Sequence, residues 1–227
     1  MEVERQTFRH SHHAERALSL PRPTWRGRTH RIAAVLSLPL GIWLIVSARP
    51  GAPRVVCAVF AAGVLAMFAA SGLTHLKRWS RHTTEVMVRV DHTGIYLAIA
   101  GTATAVSVLG LTSHSAMIAL WVVWAATVIG IVVEWLPFPS PRGLNNAIYL
   151  TLGWGSVLTM PLLWTHAGVA AVAWLLLGGV MYTVGVVVVG RQRPNPNPDV
   201  FGYHEIWHLF VIAGVAAHWV DVAFVLR

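Results

Sequence analysis

Long apolar runs follow one another along this chain of 227 residues, and they decide what it can fold into. They lie near residues 32–48, 53–76, 92–111, 115–136, 145–164, 167–189 and 204–226. Each run is close to the ~20 residues that a helix needs to cross the hydrocarbon core of a bilayer. The sequence therefore predicts an all-α integral membrane protein, a seven-transmembrane helix bundle.

The composition excludes a soluble protein. Apolar residues make up 56% of the chain and charged residues 11%, whereas a soluble domain carries about 25% charged residues. The formal charge of +8 indicates arginine clusters beside a membrane before it indicates nucleic acid, which we do not expect as a partner. The single cysteine, Cys57, excludes an intrachain disulfide framework and a cysteine-based zinc site.

Two regions differ in character. Residues 1–31 are polar, carry seven arginines and have no apolar core of the kind a secretory signal peptide needs. We expect residues 1–31 to be a basic, mobile cytoplasmic tail that meets anionic headgroups. Residues 32–227 have no linker long enough to divide them, so we expect one membrane domain there.

The distribution of basic residues predicts the orientation. With seven spans, 14 lysines and arginines fall on the side of the N-terminus and three on the opposite side. Basic residues are retained in the cytoplasm. The N-terminus is therefore expected in the cytoplasm and the C-terminus outside.

A few ionisable residues lie within the spans, where they are costly and default to functional candidates. With this topology, His75, Asp91 and the pair His204 and His208 all fall at the cytoplasmic level of three different helices. His204 and His208 are four residues apart, so they share a helical face, and Ser71 and His75 repeat that spacing. Three histidines with a carboxylate or a water suit four-coordinate Zn²⁺.

Plainer interpretations exist for each residue taken alone. His75 can be an interface histidine that hydrogen-bonds headgroups, and Asp91 can be the N-cap of the third span. The string from His204 to His208 fits the short pattern HExxH, which also occurs by chance. The joint placement of these residues at one depth favours the metal site.

The remaining polar residues of the spans are expected elsewhere. His218 is ten residues beyond His208, about 15 Å further along a helix, so we expect a buried or cavity-lining histidine there. Glu134 and Asp221 are expected near the outer and C-terminal ends, as interface residues or members of buried pairs.

Three separated motifs carry a resemblance to a known family. They are Ser71-x-x-x-His75, Asp91-x-x-Gly94-Ile95 with Gly101-Thr102, and the string from Gly202 to Val211 with His218. Together they resemble the haemolysin III family, the bacterial branch of the progestin and adipoQ receptor superfamily, which is remotely similar to alkaline ceramidases.

The resemblance implies a location in a bacterial inner membrane and a zinc ion near the cytoplasmic face, held by His75, His204 and His208. It further implies that Asp91 holds the water that completes the coordination and that Ser71 stands beside it. Glu205 departs from the related receptors, which carry glutamine there, so we expect Asp91 rather than Glu205 to handle protons.

Three functions follow as hypotheses. The first is a zinc-dependent hydrolase of lipid amides or esters, ceramidase-like, with Asp91 and Ser71 as catalytic residues and membrane lipid as substrate. The second is a pore-forming, cytolytic membrane protein, although the middle spans lack the polar stripe of a pore. The third is a receptor-like, lipid-sensing bundle in which the zinc is structural.

Overall fold

The computed structural model describes residues 18–19, 22–111, 114–136 and 143–225, and these residues build an all-helical bundle. A single 3₁₀ turn, Gly155–Thr159, connects the fifth and sixth helices. The helices are α1 (Arg28–Ser47), α2 (Ala52–Thr74), α3 (Arg81–Gly110), α4 (His114–Trp135), α5 (Leu144–Trp154), α6 (Met160–Arg191) and α7 (Tyr203–Val225).

The bundle carries its apolar side chains outward as well as inward. Within the described residues, six helical stretches are long and apolar enough to cross a membrane. Large side chains such as Val35, Trp121 and Leu158 are exposed on the outer surface, where a soluble protein would place polar groups. The protein is therefore a multi-pass membrane protein, as the apolar runs predict.

The fifth of these stretches, Leu144–Arg191, is 48 residues long and is not straight. Gly168 interrupts it with φ 84° and ψ 176°, a conformation that glycine adopts without the clash of a Cβ. Trp154 lies before this break and Thr183 after it, and the Trp154 indole donates a hydrogen bond to Thr183 Oγ1 at 2.9 Å. The chain thus doubles back around Gly168.

Helix α3 begins earlier than expected. The predicted apolar runs 53–76 and 92–111 leave residues 77–91 outside the spans, but α3 starts at Arg81, with the Ser80 side chain capping the Thr83 amide. Asp91 lies in the eleventh position of this helix, so the interpretation of Asp91 as an N-cap is wrong. The charges are tolerated because Arg89 pairs with Glu85, at 3.0 Å and one turn away.

Helices α2 and α3 approach each other closely through glycines. A Cβ at Gly63 would lie 2.6 Å from the Leu97 carbonyl oxygen, and one at Gly94 would lie 2.8 Å from Met67 Cα. Only a residue without a side chain fits at such a crossing. This contact brings the end of α2, which carries His75, beside the part of α3 that carries Asp91.

The described part of the basic N-terminal segment lies on the bundle. The amide groups of Thr24 and Trp25 donate to the carbonyls of Asp199 and Val200, in the loop before α7. Residues 1–17 lie outside the described residues, so a mobile tail there stays a prediction.

Candidate metal centre

Three buried or half-buried histidines converge at one end of the bundle. Each of His75, His204 and His208 offers a ring nitrogen, and these nitrogens lie within 4.8 Å of one another. His75 Nε2 and His204 Nε2 are 3.2 Å apart. The helices therefore bring together the three residues that the sequence predicts as ligands, and this group can hold a metal ion.

The local structure explains the convergence. His75 is the residue at which α2 ends, and His204 and His208 occupy the first two turns of α7. Because His204 and His208 are four residues apart, both rings face the same way. The 2% exposure of His208 indicates that little solvent reaches this side of the cluster.

Asp91 and Ser71 complete the group. Asp91 Oδ2 lies 3.6 Å from His75 Nε2, and the Ser71 side chain lies beside the Asp91 carboxylate. Ser71 is buried one turn before His75. All five residues predicted from the sequence thus meet at one place, and the roles given to Asp91 and Ser71 remain predictions.

The donor set fits Zn²⁺. Neighbouring donors of a tetrahedral site with Zn–N bonds of 2.0–2.1 Å stand about 3.3 Å apart, close to the 3.2 Å between His75 and His204. Within the described residues, the buried Nδ1 atom of His208 has no hydrogen-bond partner. A buried, unpartnered nitrogen beside two further imidazoles is consistent with a metal-binding role.

A fourth histidine, His30 of α1, lies directly on the cluster. Its ring stacks on His208 with the centroids 3.7 Å apart and the planes 9° from parallel, and it is 3% exposed. No sequence pattern marks His30 as part of the centre, because it stands in the basic segment and no spacing connects it to α7. It supports the ring of a predicted ligand by packing.

Glu205 faces the N-terminal segment. Its Oε1 atom pairs with Arg26 Nε at 2.6 Å, and its Oε2 atom accepts from the Gly202 amide at 2.9 Å. Glu205 is fully buried and does not line the cavity described below. These contacts give Glu205 a structural partner, and the expectation that Asp91 rather than Glu205 handles protons stays a prediction.

A second polar cluster adjoins Asp91. His92 Nδ1 lies 2.7 Å from Glu134 Oε1, and the Asn145 amide donates to Glu134 Oε2 at 2.8 Å. Glu134 is thus a member of a buried pair. It was expected near the outer end of the bundle, but it lies beside the candidate centre. It sits at this end because α4 returns to the level where α3 carries His92.

A cavity of about 920 Å³ opens from the candidate centre into the bundle. Its polar end contains His75, Asp91, His204 and His208. The rest is largely apolar, with side chains from several helices, including Met67, Val106, Met160, Leu175 and Val211. Such a space, with a few convergent polar groups at one end, is typical of a ligand-binding site.

His218 and Asp221 lie deeper in α7. His218 lines the cavity and contacts the Tyr182 ring, with 5.4 Å between centroids, which confirms the expected cavity-lining histidine. Asp221 is fully buried, and neither of its oxygens has a hydrogen-bond partner within the described residues. Neither residue belongs to the histidine group that can hold a metal.

The fold and the histidine group define a class: an α-helical, multi-pass membrane protein with a candidate metal centre at one end of the bundle. The family described as "Haemolysin-III related" matches residues 18–219, and the chain belongs to this family. The resemblance carried by the three motifs is confirmed.

Relatives extend across the superfamily. The chain is 29% identical to the Hemolysin-3 homolog of Bacillus subtilis over 200 residues, which cover 86% of this chain and 90% of that protein. It is 28% identical to Hemolysin-3 of Bacillus cereus over 199 residues, 86% of this chain and 88% of that protein.

A more distant relative is the adiponectin receptor protein of Drosophila melanogaster, 25% identical over 84% of this chain and 48% of that protein. This match supports membership of the progestin and adipoQ receptor superfamily. The bacterial relatives indicate that the chain resides in the cell membrane.

Proposed function

We propose that this protein is a zinc-dependent hydrolase of lipid amides or esters, embedded in the membrane. The observation that carries the proposal is the meeting of His75, His204 and His208 with Asp91 at the mouth of the apolar cavity. Zn²⁺ bound by the three histidines would polarise a scissile carbonyl and lower the pKa of a bound water toward ~7.

The side chains around the centre supply the remaining chemistry. Asp91, 3.6 Å from His75, is the base that accepts the proton of an attacking water and returns it to the leaving amine or alkoxide. Ser71 is buried one turn before His75 and lines the same cavity, and its hydroxyl donates to the oxyanion that develops on the substrate.

The cavity suits a lipid substrate. Its volume of about 920 Å³ and its apolar lining can take up an acyl chain, with the amide or ester group at the polar end. Because the cavity lies between helices, the chain can enter from the bilayer. Membrane lipid is thus both the environment and the substrate class.

We also propose that the chain crosses the membrane seven times. The stretch Leu144–Arg191 has 48 residues, which span about 70 Å as a helix, roughly twice the hydrocarbon core. The break at Gly168 and the bond between Trp154 and Thr183 support two antiparallel crossings within it.

We further propose a cytoplasmic N-terminus and an external C-terminus. Arg22, Arg26, Lys77 and Arg78 gather at the end of the bundle that carries His75, and retention of basic residues in the cytoplasm supports that assignment. Seven crossings then put the C-terminus outside.

The experiment compares three purified, reconstituted proteins on a panel of ceramides, acyl ethanolamides and glycerolipids. Wild type is expected to consume one lipid class, and His208→Ala is expected to consume none. His166→Ala, which removes an exposed histidine outside the cluster, is expected to match wild type. If wild type retains zinc and no lipid is consumed relative to His208→Ala, hydrolysis is the wrong activity.

Cytolysis is a second candidate, because one relative bears the name Hemolysin-3. Lysis of red cells in osmotic protectants of increasing size tests it, since a pore gives a size cutoff and a lipid hydrolase does not.

A receptor-like bundle with structural zinc is a third candidate, favoured by the Asp91 carboxylate beside His75 as a fourth ligand. An Asp91→Asn variant that keeps zinc and fold but loses an observed activity would exclude it.

A further inference from the structure

Four basic side chains meet in a second pocket beside the histidine cluster. Arg22 and Arg26 precede α1, and Lys77 and Arg78 follow α2. We call this the basic pocket. Its remaining lining residues are Leu18, Thr74, His75, Trp79 and Thr84, and no acidic residue is among the described residues that line it.

Backbone and side-chain contacts hold two of the arginines in place. The Arg22 guanidinium donates to the carbonyl oxygen of His75, and Arg26 Nε donates to Glu205. A guanidinium has five N–H donors in a planar fork, so these contacts orient each arginine without using up its donors. The pocket is therefore a shaped site and not only a charged surface.

Arg22 lies close to other positive charges. Burial, together with the charges of Arg26, Arg31 and Arg78, lowers the pKa of Arg22 below its ordinary value. Glu205 is paired with Arg26 at 2.6 Å, so Arg26 has an anionic partner within the protein. An anion bound in the pocket would favour the charged form of Arg22.

We propose that the basic pocket binds a phosphate group, carried by a lipid headgroup or by a free phosphate ester. Arginine forks match the geometry of phosphate oxygens, and basic pockets at the ends of membrane helices bind anionic headgroups. His75 and Arg26 line both this pocket and the large cavity. A phosphate held here would leave an attached acyl chain beside the entrance to the cavity.

The test uses the full chain in nanodiscs of phosphatidylcholine, with binding measured by calorimetry. The probes are dihexanoyl phosphatidic acid, glycerol 3-phosphate, inorganic phosphate and, as neutral reference, dihexanoyl phosphatidylcholine. The double variant Lys77→Gln/Arg78→Gln removes two charges from the pocket. The matched control, Arg191→Gln/Arg193→Gln, removes two exposed arginines that do not line it.

We expect phosphatidic acid to bind wild type and to bind Lys77→Gln/Arg78→Gln at least about tenfold more weakly, with the control within about twofold. Tighter binding of phosphatidic acid than of the two soluble phosphates identifies a lipid headgroup, and equal binding identifies a free phosphate ester. Equal weakening in both double variants, or equal binding of the neutral reference, would overturn the proposal. Zinc content, measured in parallel, is expected to be unchanged in both double variants. A loss of phosphate binding at unchanged zinc content is thereby separated from a failure of the proposed hydrolase.

Discussion

Arg26 forms an ion pair at 2.6 Å with the fully buried Glu205, which lies 179 residues further along the chain. The pair attaches the segment before α1 to the first turn of α7, immediately beside His204. It also gives the glutamate of the His204–His208 string a cationic partner, and Glu205 itself does not line the cavity. The residue that the motif HExxH would make a general base is thus held by an ion pair, and we expect its role to be structural.

Breaking this pair is expected to destabilise the protein. Arg26→Ala leaves a fully buried carboxylate without its cation, which costs about 3–5 kcal/mol, whereas Glu205→Gln keeps an acceptor for Arg26 and costs less. Thermal unfolding in detergent measures both. Arg28→Ala, an exposed cation over the Trp25 ring, is the control and should cost less than about 1 kcal/mol. Loss of lipid turnover in Glu205→Gln at unchanged stability would instead assign Glu205 to catalysis.

The histidine cluster is expected to bind zinc in the purified protein. We predict about one zinc per chain in wild type and near-background zinc in His75→Ala and His204→Ala, because three protein ligands define the site. Metal analysis by mass spectrometry, with His166→Ala as the unaffected reference, checks this. Wild type that purifies without zinc would contradict the central proposal.

Asp91 is expected to matter for turnover more than for metal retention. Asp91→Asn keeps the size and a hydrogen-bonding group beside His75 but cannot accept a proton, so turnover should fall about 100-fold or more. Zinc content should stay within about twofold of wild type, since the three imidazoles remain. Turnover equal to that of wild type would remove Asp91 from the mechanism.

His30 is expected to slow the loss of the metal. His30→Ala removes the ring stacked on His208, and changes in the residues that support a ligand weaken metal binding by about 10–100-fold. His30→Phe keeps a flat ring and should behave more like wild type. Zinc release to a chelator measures the difference, and equal rates in the two variants would show that the stacking is irrelevant.

The glycine contact between α2 and α3 is expected to position the centre. In Gly94→Ala the added Cβ would lie 2.8 Å from Met67 Cα, so the helices must separate, at a cost of about 1–3 kcal/mol. Zinc affinity should fall too, because His75 and Asp91 lie on these two helices. Gly190→Ala, with no atom within 4 Å of the new Cβ, serves as control; unchanged stability and affinity in Gly94→Ala would refute this account.

The sequence by itself predicted the membrane spans and the five residues of the candidate centre. The spans follow from runs of apolar residues, and the spacing of His204 and His208 puts both on one helical face. The placement of His75 and Asp91 at the same depth of the membrane follows from counting how often the chain crosses it. All of these are local properties or consequences of topology.

The tertiary structure alone decided the rest. His30 on His208, Arg26 with Glu205, and Glu134 with His92 join residues between 42 and 179 positions apart. No periodicity records which faces of two helices meet, since that depends on close packing at contacts such as Gly94 on Met67. Tertiary packing also made α3 longer than its apolar run. The Glu85–Arg89 pair keeps a charged segment helical, and a hydrogen bond from Arg89 to the Trp135 carbonyl holds this pair against α4.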